Sequence, residues 1–248
     1  MTGRGWAKFW GWFTPIRVVG LISGVIGLGI AVLGAMYRGS FAHDLIVTLF
    51  PNFGAGLVDI TITVLIIDWL YERRDQQRER DRLIRQMRSR DNGIALQAVE
   101  ELRASGWLED SSLRGVNLVG ANLAGAYLRW ADLRRVILRR ASLKGASLGG
   151  ADLRETDLEG VDLQDASLDE ALLQGANLTS AQLATAHRLR GAILPDGTRY
   201  DGRFNLAGDR QDALAAGVAW DDPKAVAEFY GVEPETYLAG QRLAGDGF

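Results

Sequence analysis

The sequence contains no cysteine and only two histidines, His43 and His187, which stand far apart along the chain. The absence of cysteine excludes disulfides, thiolate nucleophiles and cysteine-bound metals or clusters. Two distant histidines leave little material for a histidine metal site or a catalytic triad. The chain also lacks a glycine loop followed by Lys and Ser or Thr. Its residues therefore predict no cofactor, no metal and no enzymatic activity.

Charge is absent from a long stretch near the N-terminus. The run from Val18 to Met36 is uncharged, and its roughly 19 residues nearly span a ~30 Å hydrocarbon core as a helix. A second apolar run, from Phe53 to Tyr71, has a similar length although it contains two aspartates. The two runs predict a transmembrane hairpin, residues 18–71, with helices at 18–37 and 52–71.

The charges that flank the two runs predict their orientation. Basic residues precede the first run and follow the second, whereas the connecting loop 37–52 offers only Arg38. Because positive charge is enriched on the cytoplasmic side of membrane proteins, both termini are expected in the cytoplasm and the loop outside. Aromatic residues in the N-terminal segment 1–17 suit the membrane interface. Membrane lipid is therefore one expected partner.

Two features interrupt the apolar character of the hairpin. Asp59 lies well inside the second run, one helical turn from Thr63. An unpaired carboxylate at the bilayer centre costs at least ~2.5–3.5 kcal/mol, so Asp59 is either protonated or hydrogen-bonded at a helix interface, or it lines an ion or proton path with Thr63. The first run has a stripe of small residues, which favours close packing within the chain or a homo-oligomer seam: Gly20, Gly24, Gly27 and Gly34.

A charged connector, residues 72–108, follows the hairpin. Its arginine-rich first part predicts a helix that continues the second run and either approaches anionic lipid headgroups or is solvated, with ion pairs within the helix. Residues 91–93 are expected to cap or kink this helix. An apolar pattern then resumes and ends in Trp107 and Leu108. This pattern predicts a helix that covers the open end of the domain that follows.

Leucine occupies every fifth position from Leu113 to Leu183, fifteen times in unbroken phase. A small or short residue, usually alanine, stands two positions before each leucine. A period of five fits neither the 3.6-residue period of a helix nor the two-residue period of a strand. It therefore predicts a solenoid in which each side of a square coil is one repeat.

The segments GANLAGAYL, GADLRETDL and QGANLTSAQL resemble the pentapeptide-repeat family, whose consensus is A(D/N)LXX. The resemblance implies a mainly β fold, a right-handed quadrilateral β-helix over residues 109–193, with four repeats in each coil. The leucine and the small residue would point inward and the other positions would face solvent. Nearly four coils at ~4.8 Å each would stand roughly 18 Å tall. Residues 194–248 are expected to form a C-terminal cap with short helices.

Residues twenty apart should stack on neighbouring coils, so the surface can be predicted as well. Arg135 is expected to pair with Glu155, and Arg139 with Glu159, although exposed pairs contribute under ~1 kcal/mol each. A column of like charge is also expected: Arg114, Arg134 and Arg154.

The early coils are basic and the later coils are acidic. This difference in charge either has no function, on a surface that tolerates substitution, or it marks a docking surface for a partner. The basic residues form the candidate interaction surface: Arg114, Arg129, Arg134, Arg135, Arg139, Arg140 and Lys144.

Three functional hypotheses follow. The leading one is a non-catalytic, membrane-tethered scaffold or protein-interaction module with an unidentified protein partner, which resembles membrane-associated pentapeptide-repeat proteins of bacteria and cyanobacteria. Its expected location is the bacterial plasma (inner) membrane, with the repeat domain in the cytoplasm. The alternative is an oligomeric membrane channel or transport accessory that uses Asp59. A DNA-mimic protein that binds a topoisomerase is less favoured, as is a nucleic-acid partner, because the early coils carry arginines where a mimic needs carboxylates.

Overall fold

A computed structural model describes Val25 and residues 41–245, with side chains described at Val25 and from residue 63 to residue 243. The chain divides into two compact units, Met1–Arg78 and Glu79–Phe248. The segment 1–17 and, apart from Val25, the first predicted span lie outside the described residues, as does the small-residue stripe.

Helix α1 runs from Phe41 to Met87. The predicted loop 37–52 is therefore wrong from residue 41 onward, since these residues are helical although Pro51 lies among them. The second predicted span lies within α1. No helix in the described part of the chain is long and apolar enough to cross a membrane. The transmembrane hairpin stays a prediction.

Helix α2, Asn92–Ala104, follows a short break in the connector. Its N-cap is Asp91, whose carboxylate accepts the N–H of Ile94 at 3.2 Å. The connector is thus two helices, as the cap residues at 91–93 predict. Apolar residues from the end of α1, from α2 and from the turn after it join the core of the coil: Leu83, Met87, Ala95, Ala98, Val99, Leu102 and Leu108.

From Leu113 to Gly175 the chain winds with twenty residues in each coil. Parallel bridges join residues twenty apart, such as Asn117 to Ile137, and they recur at every fifth residue around the coil. The N–H of Leu118 donates to the carbonyl of Ile137 at 2.8 Å, and the ladder leucines that follow, up to Leu153, make the same kind of bond. Each side is an isolated bridge rather than a longer strand, because the chain turns after every repeat. The leucines of these coils are buried.

The corner of each repeat needs a left-handed backbone. The second residue after each leucine, from Gly115 to Gly175, has a positive φ, and the next N–H closes the turn, as in the bond from Ala121 to the Leu118 carbonyl at 3.1 Å. Such turns favour glycine. Six repeats nevertheless place another residue there, at a cost of about 1–3 kcal/mol each: Trp130, Arg135, Arg140, Glu155, Asp165 and Glu170.

The regular coil ends earlier than the leucine phase predicts. Leu178 is only half-buried and Ala181 is exposed, because helix α3, Ser180–Leu183, replaces one side of the coil. A capping box with Thr179 and Gln182 starts this helix, and the leucine spacing does not reveal it.

Side chains complete the ladder where α3 interrupts it. The Gln182 amide donates to the carbonyls of Leu158 and Val161 at 3.2 and 3.1 Å. The coil resumes after α3 with one extra residue, since Ser167 bridges to Arg188 and Leu172 to Ile193. The last parallel bridge, at Ile193, agrees with the predicted end of the β-helix. The prediction that the regular coil continues without interruption up to Leu183 is wrong, because α3 replaces one of its sides.

Three helices form the C-terminal part: α4, Ala207–Ala215, α5, Pro223–Tyr230, and α6, Pro234–Gly245. Helix α5 begins as its sequence predicts, because Asp222 accepts the N–H of Lys224 at 2.9 Å and proline takes the first position. Helix α4 has no side-chain cap, so the sequence offers no start signal for it. Its first turn carries the most deeply buried acid of this cap.

That acid is Asp209, which is 0% exposed. Its carboxylate accepts the N–H groups of Leu189 and Arg190 at 3.3 Å. Burial raises the pKa of Asp209 to about 7, and the negative charges of Asp169 and Asp212 act in the same direction. The C-terminal cap therefore closes the coil around a carboxyl group that prefers to be neutral.

We expect the stability of the cap to fall as the pH rises. An unfolded Asp209 ionises near 3.8 and the folded one near 7, so between these values the unfolded state loses its proton first. The destabilisation grows through this window and is complete above about pH 7, with an upper bound of about 4 kcal/mol. Asp209→Asn should flatten the pH dependence between pH 5 and 8 in chemical denaturation, whereas Asp221→Asn, an exposed control, should not. A wild-type slope that persists in Asp209→Asn would contradict this assignment.

The leucine ladder should respond to single substitutions. Leu143 is fully buried in the middle of the coil, so Leu143→Ala should lower the free energy of unfolding by about 2–5 kcal/mol. Leu143→Asp should prevent the coil from forming, because the core offers the charge no partner. Lys144→Ala, on the neighbouring exposed position, should change stability by less than about 0.5 kcal/mol. Circular dichroism during denaturation measures all three, and similar losses in Leu143→Ala and Lys144→Ala would disprove the ladder's role.

Candidate functional site

The outward residues of the coil lie on four sides. Each repeat turns the chain by one side, so residues twenty apart share a side. Side A contains residues 131–135 and their equivalents twenty residues away. Sides B and C follow it along the chain and contain residues 136–140 and 141–145. Side D contains residues 126–130, 146–150 and 166–170. The predicted basic surface is distributed over all four: Arg114, Arg134 and Arg135 on side A, Arg139 and Arg140 on B, Lys144 on C, and Arg129 on D.

The predicted basic residues thus surround the coil, because a spacing of five residues moves each charge to the next side. Their role in docking stays a prediction. The two predicted pairs between neighbouring coils are confirmed. Arg135 Nε lies 2.6 Å from Glu155 Oε2, and Arg139 pairs with Glu159. The hydrogen bond from Arg135 lowers the pKa of Glu155. Both pairs are exposed, so each contributes under about 1 kcal/mol.

The predicted column of like charge on side A is relieved by carboxylates. Arg134 donates from Nε to Asp132 Oδ1 at 2.8 Å and from its terminal nitrogen to Oδ2 at 2.5 Å. Arg154 makes the same contact with Asp152, with Nε at 2.8 Å from Oδ1. The Nε of Arg134 also lies 3.3 Å from Asp152 Oδ2. Acids and arginines thus alternate along the column.

Asp132 is the most buried member of this network, with 6% of its surface exposed. The Ser111 hydroxyl donates to it at 2.7 Å. The hydrogen bonds from Arg134, followed by that from Ser111, hold the pKa of Asp132 well below its usual range despite its burial. Sequence reasoning missed this pairing, although the signal is present as DLR at 132–134 and again at 152–154.

Side D carries aromatic side chains that sequence reasoning missed. Trp130 is 56% exposed and has a φ of 61°, in the left-handed region. Its ring lies against Gly150, where an added Cβ would come within 2.2 Å of the ring. The Arg129 guanidinium lies beside Gly149, 2.8 Å from the position of a Cβ there. A pair of glycines twenty residues after an aromatic residue is the sequence signal for this arrangement.

A second exposed aromatic lies on the same side. Tyr127 is 46% exposed, and the Arg103 guanidinium lies 3.9 Å from the centre of its ring. Arg103 also donates to the Tyr127 carbonyl at 2.7 Å and pairs with Glu100 at 3.1 Å. Tryptophan, tyrosine and arginine are the residues that most often dominate binding energy in protein interfaces.

Acidic residues occupy side D on the third coil, at residues 166–170. Asp169 and Glu170 lie one coil beyond the two glycines, and the Ser167 hydroxyl donates to Asp169 at 2.5 Å. They line a cleft of about 500 Å³ together with Arg129, Arg190 and Phe229. The Arg190 guanidinium lies 4.5 Å from the centre of the Phe229 ring. Side D therefore combines aromatic, basic and acidic groups.

The remaining candidates lie partly or wholly outside the described residues, so a site there stays a prediction. Thr63 lies in α1 with an exposed side chain, and Asp59 is within the helical backbone, with its side chain outside the described set. Gly20, Gly24, Gly27 and Gly34 lie outside the described residues. Among the residues that the structure covers, no group of three or more His, Asp or Glu side chains is arranged to hold a metal ion.

The leucine period and the twenty-residue coil define a class of repeat protein. The family model "Pentapeptide repeats" matches residues 108–140, 137–175 and 156–195 in eight copies. Residues 108–195 are thus a pentapeptide-repeat domain, and the family prediction is confirmed for this part of the chain. The right-handed turn expected of this β-helix agrees with the hand of nearly all connections between parallel strands.

No curated protein matches the chain. Similar solved structures include a pentapeptide repeat protein from the thylakoid lumen of Arabidopsis thaliana, with 29% identity, 33% of this chain and 63% of that chain covered, and a TM-score of 0.18. QnrB1, a plasmid-mediated fluoroquinolone resistance protein, shows 20% identity over 42% of this chain and 61% of its own, with a TM-score of 0.22. The match spans somewhat less than two thirds of the length of each of these two solved structures.

Removal of Arg134 should cost more than removal of Arg135. Arg134→Ala leaves the buried Asp132 carboxylate without its cation, so we expect a loss of about 1–3 kcal/mol in the free energy of unfolding. Arg135→Ala removes an exposed pair and should cost under about 1 kcal/mol. Because the pKa of Asp132 is depressed in the folded state, its contribution is present above pH 4 and is lost as the pH falls further. The two variants should therefore converge at acid pH, and equal losses at pH 7 would contradict the model.

Proposed function

We propose that the chain is a non-catalytic protein-interaction module that its N-terminal part holds at a membrane. The observation that carries the proposal is the closed ladder of backbone bonds around a buried leucine core. Such a ladder fixes the position of every outward side chain. A rigid surface binds with a smaller loss of conformational entropy than a flexible one.

The outward residues support binding rather than chemistry. Side D presents Trp130, Tyr127 and Arg129, which are residue types that anchor protein interfaces. The arginines on all four sides argue against a DNA mimic, which needs a continuous acidic surface. The partner that fits is a protein, and its identity is left to experiment.

Membrane tethering rests on the sequence of the N-terminal part. The uncharged run from Val18 to Met36 and the run from Phe53 to Tyr71 have the length of membrane spans. The surrounding arginines favour cytoplasmic termini in a bacterial inner membrane. Arginines early in the connector would add attraction to anionic lipid.

The proposal can be tested in cells with tagged full-length protein, crosslinking and quantitative mass spectrometry after purification in mild detergent. A defined partner should be recovered with the full chain and with Lys144→Ala. It should be lost from Leu143→Asp and from a chain truncated after Leu108, because both lack the coil. A partner that survives both losses would show that the coil is not the binding element.

A second arm of the same experiment tests the tether. The full chain should stay in the membrane pellet after an alkaline carbonate wash, and a chain that starts at Glu79 should be released. Release of both chains would rule out the membrane hairpin. Retention of both would show that residues 79–248 attach to the membrane by other means.

A further inference from the structure

Side D differs from sides A and B in that Arg129 and Asp169, at equivalent positions of their repeats, lie two coils apart. On sides A and B the opposite charges lie on consecutive coils, and they pair within the chain, as Arg135 does with Glu155. On side D the glycines at 149–150 separate Arg129 from Asp169 by two coils, or roughly 10 Å along the axis. Both side chains line the same cleft, and among the described residues no ion pair joins them. Both charged groups therefore stay available to another molecule.

The order of groups along side D reads positive, neutral, negative. Arg129 occupies the first coil, Gly149 the second and Asp169 the third, all at equivalent positions in their repeats. A surface with this order is complementary to itself when one copy is turned end over end. Two-fold interfaces between identical chains need this kind of self-complementarity.

We propose that side D is a contact surface between two copies of this chain, packed antiparallel about a two-fold axis at the level of Gly149 and Gly150. In this arrangement Arg129 of each copy faces Asp169 of the other. The Trp130 rings, each of which lies over Gly150 of its own chain, meet near the axis. The indoles supply the apolar centre of the contact and the two Arg–Asp pairs fix its register.

The backbone at Trp130 supports a role for this residue outside its own coil. A bulky side chain at a φ of 61° is strained, and seven of the thirteen equivalent corners from residue 115 to residue 175 use glycine instead. Gly150, whose missing Cβ leaves room for the ring, accommodates an indole that still exposes more than half of its surface. Strained residues that the surrounding fold holds in place are often functional.

The ends of side D extend the match. The exposed acids Glu109 and Asp110 lie just before the first coil, next to Leu108, whose carbonyl accepts the N–H of Asp132 at 2.7 Å. Arg190 and Arg199 line the cleft at the opposite end. An antiparallel partner brings these acids and arginines to the same level. The strip is narrow, so we expect reversible association rather than a permanent dimer.

Charge exchange tests this arrangement directly with full-length protein in mild detergent. Arg129→Asp and Asp169→Arg should each weaken self-association at least tenfold in sedimentation equilibrium. When the two variants are mixed under different affinity tags, they should copurify as a hetero-pair, because each supplies the charge that the other lacks. Arg140→Asp reverses an unpaired arginine on side B and should leave self-association unchanged. Failure of the mixed variants to pair, with both still folded by circular dichroism, would overturn the proposal.

Trp130→Gly separates association from folding. Glycine relieves the backbone strain, so the thermal midpoint should stay the same or rise, while self-association weakens at least tenfold. If association is unchanged, side D is not the contact surface.

The register can be measured because the chain has no cysteine of its own. Ser147→Cys places one thiol on side D at the predicted axis, and a short bis-maleimide should link two copies. Ser142→Cys occupies the equivalent position on side C and should not be linked. Equal crosslinking of both would assign self-association to another part of the chain, such as the N-terminal unit. The scaffold proposal also draws on side D, but it is tested by copurification of a different protein, so the two proposals can fail separately.

Discussion

Every coil of this repeat domain depends on the coil next to it. A single five-residue side cannot bury its leucine or satisfy its backbone, and only the neighbouring coil supplies the missing carbonyls and apolar contacts. The N–H of Leu143, for example, donates to Asp162 in the next coil at 2.9 Å. The two ends of the ladder therefore require covers. Helix α2 and the end of α1 provide one, and the C-terminal helices provide the other.

The covers use different chemistry at the two ends. At the first end, the Asn92 side chain donates to the Ala124 carbonyl at 2.9 Å, and the backbone N–H of Asn122 donates to the Ser89 carbonyl at the same distance. At the second end, the Asp209 side chain accepts the backbone N–H groups of Leu189 and Arg190. The Asn92 amide is uncharged, whereas the buried Asp209 carboxyl group becomes charged, at a cost in desolvation, when it loses its proton near pH 7. Closure at the C-terminal end is therefore coupled to pH near neutrality through Asp209.

The sequence predicts the coil because its period is a direct consequence of inward packing. The leucine period, the small residue before it and the pairs Arg135–Glu155 and Arg139–Glu159 all follow from one rule, that residues twenty apart are neighbours. The rule fails at Gln182 and α3, where side-chain hydrogen bonds replace a backbone side without disturbing the leucine phase. The charge of each coil also does not show that the basic residues lie on four different sides, because the chain makes a quarter turn between successive repeats. Asp132 and Trp130 were missed because their roles depend on contacts across a side rather than on the period.

The fixed geometry of the coil also determines what its surface can do. On sides A and B, opposite charges on consecutive coils pair within the chain, as Arg135 does with Glu155 and Arg139 with Glu159. Where the sequence inserts Gly149 and Gly150 between opposite charges on side D, those charges stay open and the glycines make room for an exposed indole. At this one place in the coil, a glycine pair coincides with an exposed indole and with opposite charges that lie two coils apart. Substitutions at outward positions, which the core tolerates, can thus create or remove a contact surface without altering the fold.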